Sequence, residues 1–97
     1  MAYAQGEVVL DFGGTPIETG SVVVSGQADI AATDHVEAFF MKDSTADNNA
    51  AAHEEAAAVC PLVCGSIVAG TSFTIFARSP FALLTGDFNI RWTRNGT

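Results

Sequence analysis

The sequence predicts an all-β domain, a small antiparallel sandwich of jelly-roll or immunoglobulin-like type with six or seven strands and one long polar loop. Three observations point there. Short stretches alternate apolar and polar residues with a period of two. Gly, Pro, Asn and Asp interrupt them at short intervals, as turns between strands do. The stretches are rich in β-branched and aromatic residues, which suit a pleated, half-buried surface. With 97 residues, 48% of them apolar, the chain can bury one core but not two, so residues 1–97 form a single domain.

The elements follow in order. Gly6-Glu7-Val8-Val9-Leu10-Asp11-Phe12 places Val8, Leu10 and Phe12 on one face and Glu7, Val9 and Asp11 on the other. Gly13-Gly14-Thr15-Pro16 breaks the chain. It is no phosphate loop, since it lacks the Lys-Ser/Thr pair and no helix pattern follows. Residues 21–25 contain three valines in succession, a β-branched run expected to continue past a kink at Gly26 into Gln27-Ala28-Asp29-Ile30. After a turn at Thr33-Asp34, residues 35–41 form a strand with Val36, Ala38 and Phe40 facing the core and Phe39 and Met41 facing out.

Residues 43–49 have no large apolar side chain and read as the polar loop. Residues 50–58 are alanine-rich but lack an apolar stripe, so the expectation is a loop with one helical turn and a strand from about residue 56. Residues 59–67 are apolar with Pro61 among them, which demands an edge strand or a bulge. Cys60 and Cys64 would then lie on one face of that strand, about 13 Å apart at ~3.3 Å per residue, too far for a disulfide. Gly70-Thr71 is a turn, and residues 72–78 are a strand with Phe73, Ile75 and Ala77 inward. Ser79-Pro80 ends it, residues 81–84 are apolar, and Thr85-Gly86-Asp87 turns the chain. The last strand alternates most cleanly: Phe88, Ile90 and Trp92 in, Asn89, Arg91 and Thr93 out, closed by Asn95-Gly96.

Eleven acids against four basic residues give a net charge of −7. Phosphate recognition rests on Lys and Arg, so nucleic acid is disfavoured as a partner, and so is an anionic membrane surface. No apolar run reaches the ~18 residues of a membrane-spanning helix. The N-terminal residues lack the basic and apolar regions of a signal peptide, and the expectation is a complete chain made in the cytoplasm.

Chemistry is sparse. Nucleophilic catalysis would need His35 or His53 beside a Ser, Thr or Cys, and no nucleophile-elbow pattern is present. Both histidines read as solvated or loop-anchoring. Asp43, Asp47, Asn48, His53, Glu54 and Glu55 gather hard ligands suited to Ca²⁺, but without the spacing or central glycine of an EF-hand, and they read as a solvated loop. No finger spacing supports zinc. The expectation is therefore a non-enzymatic protein with no catalytic residue, metal or cofactor. Basic and aromatic residues concentrate late, at Arg78, Arg91, Trp92 and Arg94, the composition of interface hot spots and sugar sites. Trp92 itself points inward.

The segments Ala69-Gly70-Thr71-Ser72-Phe73-Thr74-Ile75-Phe76-Ala77-Arg78-Ser79 and Leu84-Thr85-Gly86-Asp87-Phe88-Asn89-Ile90-Arg91-Trp92 resemble small proteins encoded in tailed-phage and prophage structural gene clusters. Tyr3-Ala4-Gln5-Gly6-Glu7-Val8, Asp11-Phe12-Gly13 and Val24-Ser25-Gly26-Gln27-Ala28 are similar too, so the resemblance covers nearly the whole chain. It implies a virion component, made in the host cytoplasm: a capsid decoration (cement) protein or a fibre component. Partners would be copies of itself, expected as a homotrimer, and other virion proteins such as the major capsid or fibre protein. Val9, Phe39, Met41, Phe76, Arg78 and Arg91 are the candidate contacts. A fold-level likeness to H-type lectins rests on Phe73-Thr74-Ile75 and on the Gly-x-Phe-x-Ile-x-Trp pattern at residues 86–92. It implies the alternative of a receptor- or carbohydrate-binding head module meeting a host-surface glycan. For that alternative the residues singled out are Gln27, Asn48, Asn49, Arg91 and Trp92.

Overall fold

A computed structural model describes residues 3–80 and 83–95. Phe81 and Ala82 of the apolar stretch, Gly96 of the closing turn and the Tyr3 side chain lie outside the described residues. The order is β1 (Tyr3–Asp11), β2 (Thr19–Val24), β3 (His35–Phe40), α1 (Ala50–Val59), β4 (Leu62–Val68), β5 (Ser72–Arg78) and β6 (Asp87–Asn95). Two three-stranded antiparallel sheets result, β1-β6-β3 and β2-β5-β4. The described chain is thus an all-β sandwich with a single short helix.

The core lies between the sheets. The alternating residues of the long central strands supply it: Phe88, Ile90 and Trp92 from β6, and Phe73, Ile75 and Ala77 from β5. Leu10, Phe12, Val24, Ile30 and Phe40 complete it from the neighbouring segments. Phe88 is its aromatic centre. Phe12, Phe40 and His53 each meet it edge-on, at ring centroids 5.7, 5.5 and 5.0 Å away. Trp92 meets Phe73 across the sandwich at 5.2 Å. Its indole lies over the β1 backbone, where a Cβ on Gly6 would come within 2.8 Å of the ring. Gly6 and Trp92 are register partners, so the missing side chain makes room for the large one.

Three expectations are corrected. Residues 50–58 do not form a loop with one turn. They belong to a ten-residue helix, and the next strand begins at Leu62, not near residue 56. The Asn49 side chain caps α1 by accepting from the Ala52 N–H at 2.9 Å. The helix buries only His53 and Ala56. A polar ring and a methyl group make no recognisable apolar stripe, so the periodicity hid the element. Second, β2 stops at Val24. Gly26 has φ +76° and the chain turns, with Ile30 N–H donating to Gln27 O at 3.2 Å. Third, Cys60 caps the helix C-terminus and only Cys64 lies in a strand; both thiols are free. Pro61 precedes β4, which is an edge strand with a bulge between Gly65 and Val68. Ser66 sits there at φ 50°, outside extended backbone, as such a bulge requires.

Candidate functional site

Because side chains alternate across a strand, the inward set fixes the outward one. On β1-β6-β3 the outer face carries Gln5, Glu7, Val9 and Asp11 from β1. Asp87, Asn89, Arg91 and Thr93 come from β6, and His35, Glu37 and Phe39 from β3. Arg91 occupies the middle of this face, in register with Glu7 on one side and Phe39 on the other. Its Nη2 donates to Gln5 Oε1 at 2.8 Å. Val9 and Phe39 remain 47% and 46% exposed. Met41 follows β3 and donates its N–H to Asn89 O at 3.2 Å.

The outer face of β2-β5-β4 differs in composition. Phe76 stands in register with Ser21 and Val63, Thr74 with Val23 and Gly65, and Arg78 with Thr19. Val23, Val63 and Phe76 are 60%, 63% and 43% exposed. Pro61, Val63, Phe76, Arg78 and Pro80 border a shallow, largely apolar depression. None of the eleven acids lies on β2, β4 or β5. Arg78 forms no ion pair among the described residues.

The six contact candidates therefore split. Val9, Phe39 and Arg91 share one outer face, Phe76 and Arg78 share the opposite one, and half-buried Met41 sits where β3 ends. Sequence reasoning missed Val23 and Val63. Their outward position depends on pairing with β5, which no local pattern reveals; only the parity of the valine run hinted at Val23.

The five residues singled out for a ligand do not converge. Trp92 faces the core. Gln27 Oε1 accepts from Arg94 Nε at 3.3 Å, near the end of β6. Asn48 Nδ2 donates to the carbonyls of Thr85 and Asp87, both at 2.9 Å, at its beginning. Those two ends are roughly 20 Å apart at ~3.3 Å per residue. Asn49 is spent on the helix cap, and Arg91 alone is on an open face.

Other polar candidates are likewise engaged. His53 is fully buried, and its Nε2 accepts from the Asn89 N–H at 3.0 Å. Nδ1 lies 3.0 Å from Asn49 O, so the neutral Nδ1–H tautomer satisfies both contacts. The imidazole supplies the acceptor for the Asn89 N–H, while Met41, just past the end of β3, donates to the Asn89 carbonyl. Asp43 Oδ2 accepts from Asn89 Nδ2 at 2.8 Å, and Asp47 Oδ2 from the Asp87 N–H at 3.1 Å. Gly86 permits the latter: its φ is +76°, and a Cβ there would lie 2.6 Å from Asp47 Cβ. Asp11 and Asp87 face each other in register. Lost hydration, then the charges of Asp11 and Asp47, hold the Asp87 carboxyl above its ordinary value. Among the described residues no group of three or more His, Cys, Asp or Glu is placed to hold a metal ion. Burial, then Glu37, pushes the Cys64 thiol up to about 11, and burial also raises Cys60.

Compared with protein-family models, curated proteins and solved structures, the chain finds no match.

Proposed function

We propose that this chain is a non-enzymatic assembly domain, a structural component of a tailed-phage virion that acts by associating with copies of itself on the particle, as capsid decoration or fibre component. One observation carries the assembly reading: the acid-free outer face of β2-β5-β4, where Val23, Val63 and Phe76 stand exposed beside Arg78. A chain of net charge −7 that leaves its carboxylates off one apolar sheet face has a surface suited to burial against another protein. The small core gives such burial a thermodynamic return, since association stabilises the folded state by mass action.

The state of the reactive side chains supports a non-catalytic role. The His53 ring has both nitrogens engaged in the core, and both thiols are held in their protonated form. The virion setting rests on the resemblance of the segments around residues 3–13, 24–28, 69–79 and 84–92. The test is sedimentation of the purified chain across a concentration series, with mass spectrometry of purified virions from the phage that encodes it. Self-association and stoichiometric presence in the particle are expected. A chain that stays monomeric up to about 100 μM, a concentration far above the ~1 μM affinity of a modest interface, would overturn the assembly reading. Absence from the particles would overturn the virion setting.

A further inference from the structure

The charges of this molecule are sorted between its two sheets. The outer face of β1-β6-β3 carries Glu7, Asp11, Glu37 and Asp87 against Arg91, around the exposed Val9 and Phe39. The outer face of β2-β5-β4 carries no acid and one cation, Arg78, around the exposed Val23, Val63 and Phe76. One face is apolar and acidic, the other apolar and basic. Their central strands, β6 and β5, belong to opposite layers, and the two faces meet at the β3 and β4 edges, where Phe39 and Val63 border one groove.

We propose that copies of this chain stack head to tail, the β2-β5-β4 face of one docking on the β1-β6-β3 face of the next. The inference rests on the assembly reading above and specifies its geometry. Phe76 and Val63 would cover Phe39 and Val9, and the Arg78 guanidinium would meet the carboxylates around them. Guanidinium–carboxylate pairs give such a contact its register and choice of partner.

The two self-matched alternatives are electrostatically poorer. Pairing β2-β5-β4 with its own copy buries two guanidinium groups with no carboxylate from either face, and an unpaired buried charge is costly. Pairing β1-β6-β3 with itself sets four carboxylates and one guanidinium against the same set, a net excess of negative charge on both sides. Only the mixed contact sets a face of net negative charge against one of net positive charge. Such a contact is heterologous, so it closes into a ring only if the rotation between copies allows it. Back-to-back faces direct successive copies along a line. The expected product is an open stack rather than the homotrimer that the family resemblance implies.

The experiment uses two full-length variants. Val9→Gln/Phe39→Gln alters one face and Val23→Gln/Phe76→Gln the other, all at exposed positions, with circular dichroism and melting as the check on folding. Sedimentation is run on wild type, each variant and their equimolar mixture. Head-to-tail stacking predicts that wild-type mass grows with concentration without stopping at three copies. Each variant alone is monomeric at the same concentrations, while the mixture gives a two-chain species and stops, because each partner retains one good face. Arg78→Glu weakens wild-type self-association by ~10-fold or more. Three results overturn the proposal while leaving self-assembly standing: the Val9/Phe39 variant assembles like wild type, the mixture stays monomeric although wild type assembles, or wild type stops at a closed trimer. A wild type that remains monomeric throughout overturns both this proposal and the assembly reading.

Discussion

The two sheets have the same number of strands and are specified in different ways. Sheet β1-β6-β3 receives nearly all the polar architecture. Arg94 enters the protein from the end of β6, and His53, Asp43, Asp47 and Asn48 dock on its beginning. Sheet β2-β5-β4 has one charged side chain on its strands, and it is held by aliphatic and aromatic packing. The loops and the helix thus lock one sheet through hydrogen bonds and leave the outer surface of the other bare. Fold specification and the candidate contact surface are divided between two layers, so substitutions should affect either stability or association.

The largest loss of stability is expected at Arg94. Its side chain is 2% exposed and pairs through Nη1 with Asp34 Oδ2 at 3.2 Å and through Nη2 with Asp29 Oδ1 at 2.7 Å. Asp29 is 65% exposed, so that pair contributes little; Asp34 is 3% exposed and would keep only the Ala31 N–H as a partner among the described residues. Arg94→Met should cost about 3–5 kcal/mol, read by chemical denaturation, and adding Asp34→Asn should restore much of it. If the single variant lost under ~1 kcal/mol, the polar locking of this sheet would be overstated.

Second comes the docking of α1. His53→Leu removes the acceptor for the Asn89 N–H and should cost ~1–3 kcal/mol, with hydrogen exchange accelerating in α1 before the β5 amides. Comparable in size, Gly6→Ala should cost about 1–3 kcal/mol by overpacking against Trp92. On the other sheet, Phe76→Asp should cost the monomer about 1 kcal/mol, chiefly through the poor strand propensity of Asp, yet abolish self-association. Equal damage to stability from Phe76→Asp and Arg94→Met would erase the distinction between the sheets.

These residues also show what a sequence can reveal. β5 and β6 are legible because their inward positions alternate without a break, from Phe73 to Ala77 and from Phe88 to Trp92. The same parity carries Arg94 inward, but a guanidinium there is acceptable only because Asp34 comes from a distant segment, and no local pattern reports that. The helix was hidden for a related reason: its buried residues are His53 and Ala56, and the imidazole is anchored by partners on β6 and at the cap. The outward-facing Val9, Phe39 and Phe76 could be read one strand at a time. Their separation onto opposite faces could not, since it depends on β6 inserting between β1 and β3 while β5 inserts between β2 and β4.

The smallest effect tests where the acidic sheet carries unfavourable charge. Asp87 faces Asp11 in register and Asp47 across the loop, and its carboxyl titrates above its ordinary value, first through lost hydration and then through those two charges. A carboxyl whose folded value is raised binds its proton more tightly in the folded chain than in the unfolded one. Its favourable contribution is complete at low pH and is lost as pH rises through the folded value, so at neutral pH the ionised group opposes folding. Asp87→Asn should therefore raise the melting temperature slightly at pH 7, and the difference should shrink towards zero below about pH 3, where both chains are neutral at this position. The backbone bond from the Asp87 N–H to Asp47 survives the substitution, so the measurement reads the carboxyl group and not that bond. A fall in melting temperature at pH 7 would reverse the conclusion: the Asp87 carboxylate would then be in favourable use, and the acidic end of this sheet would be a place where a cation or a basic partner belongs.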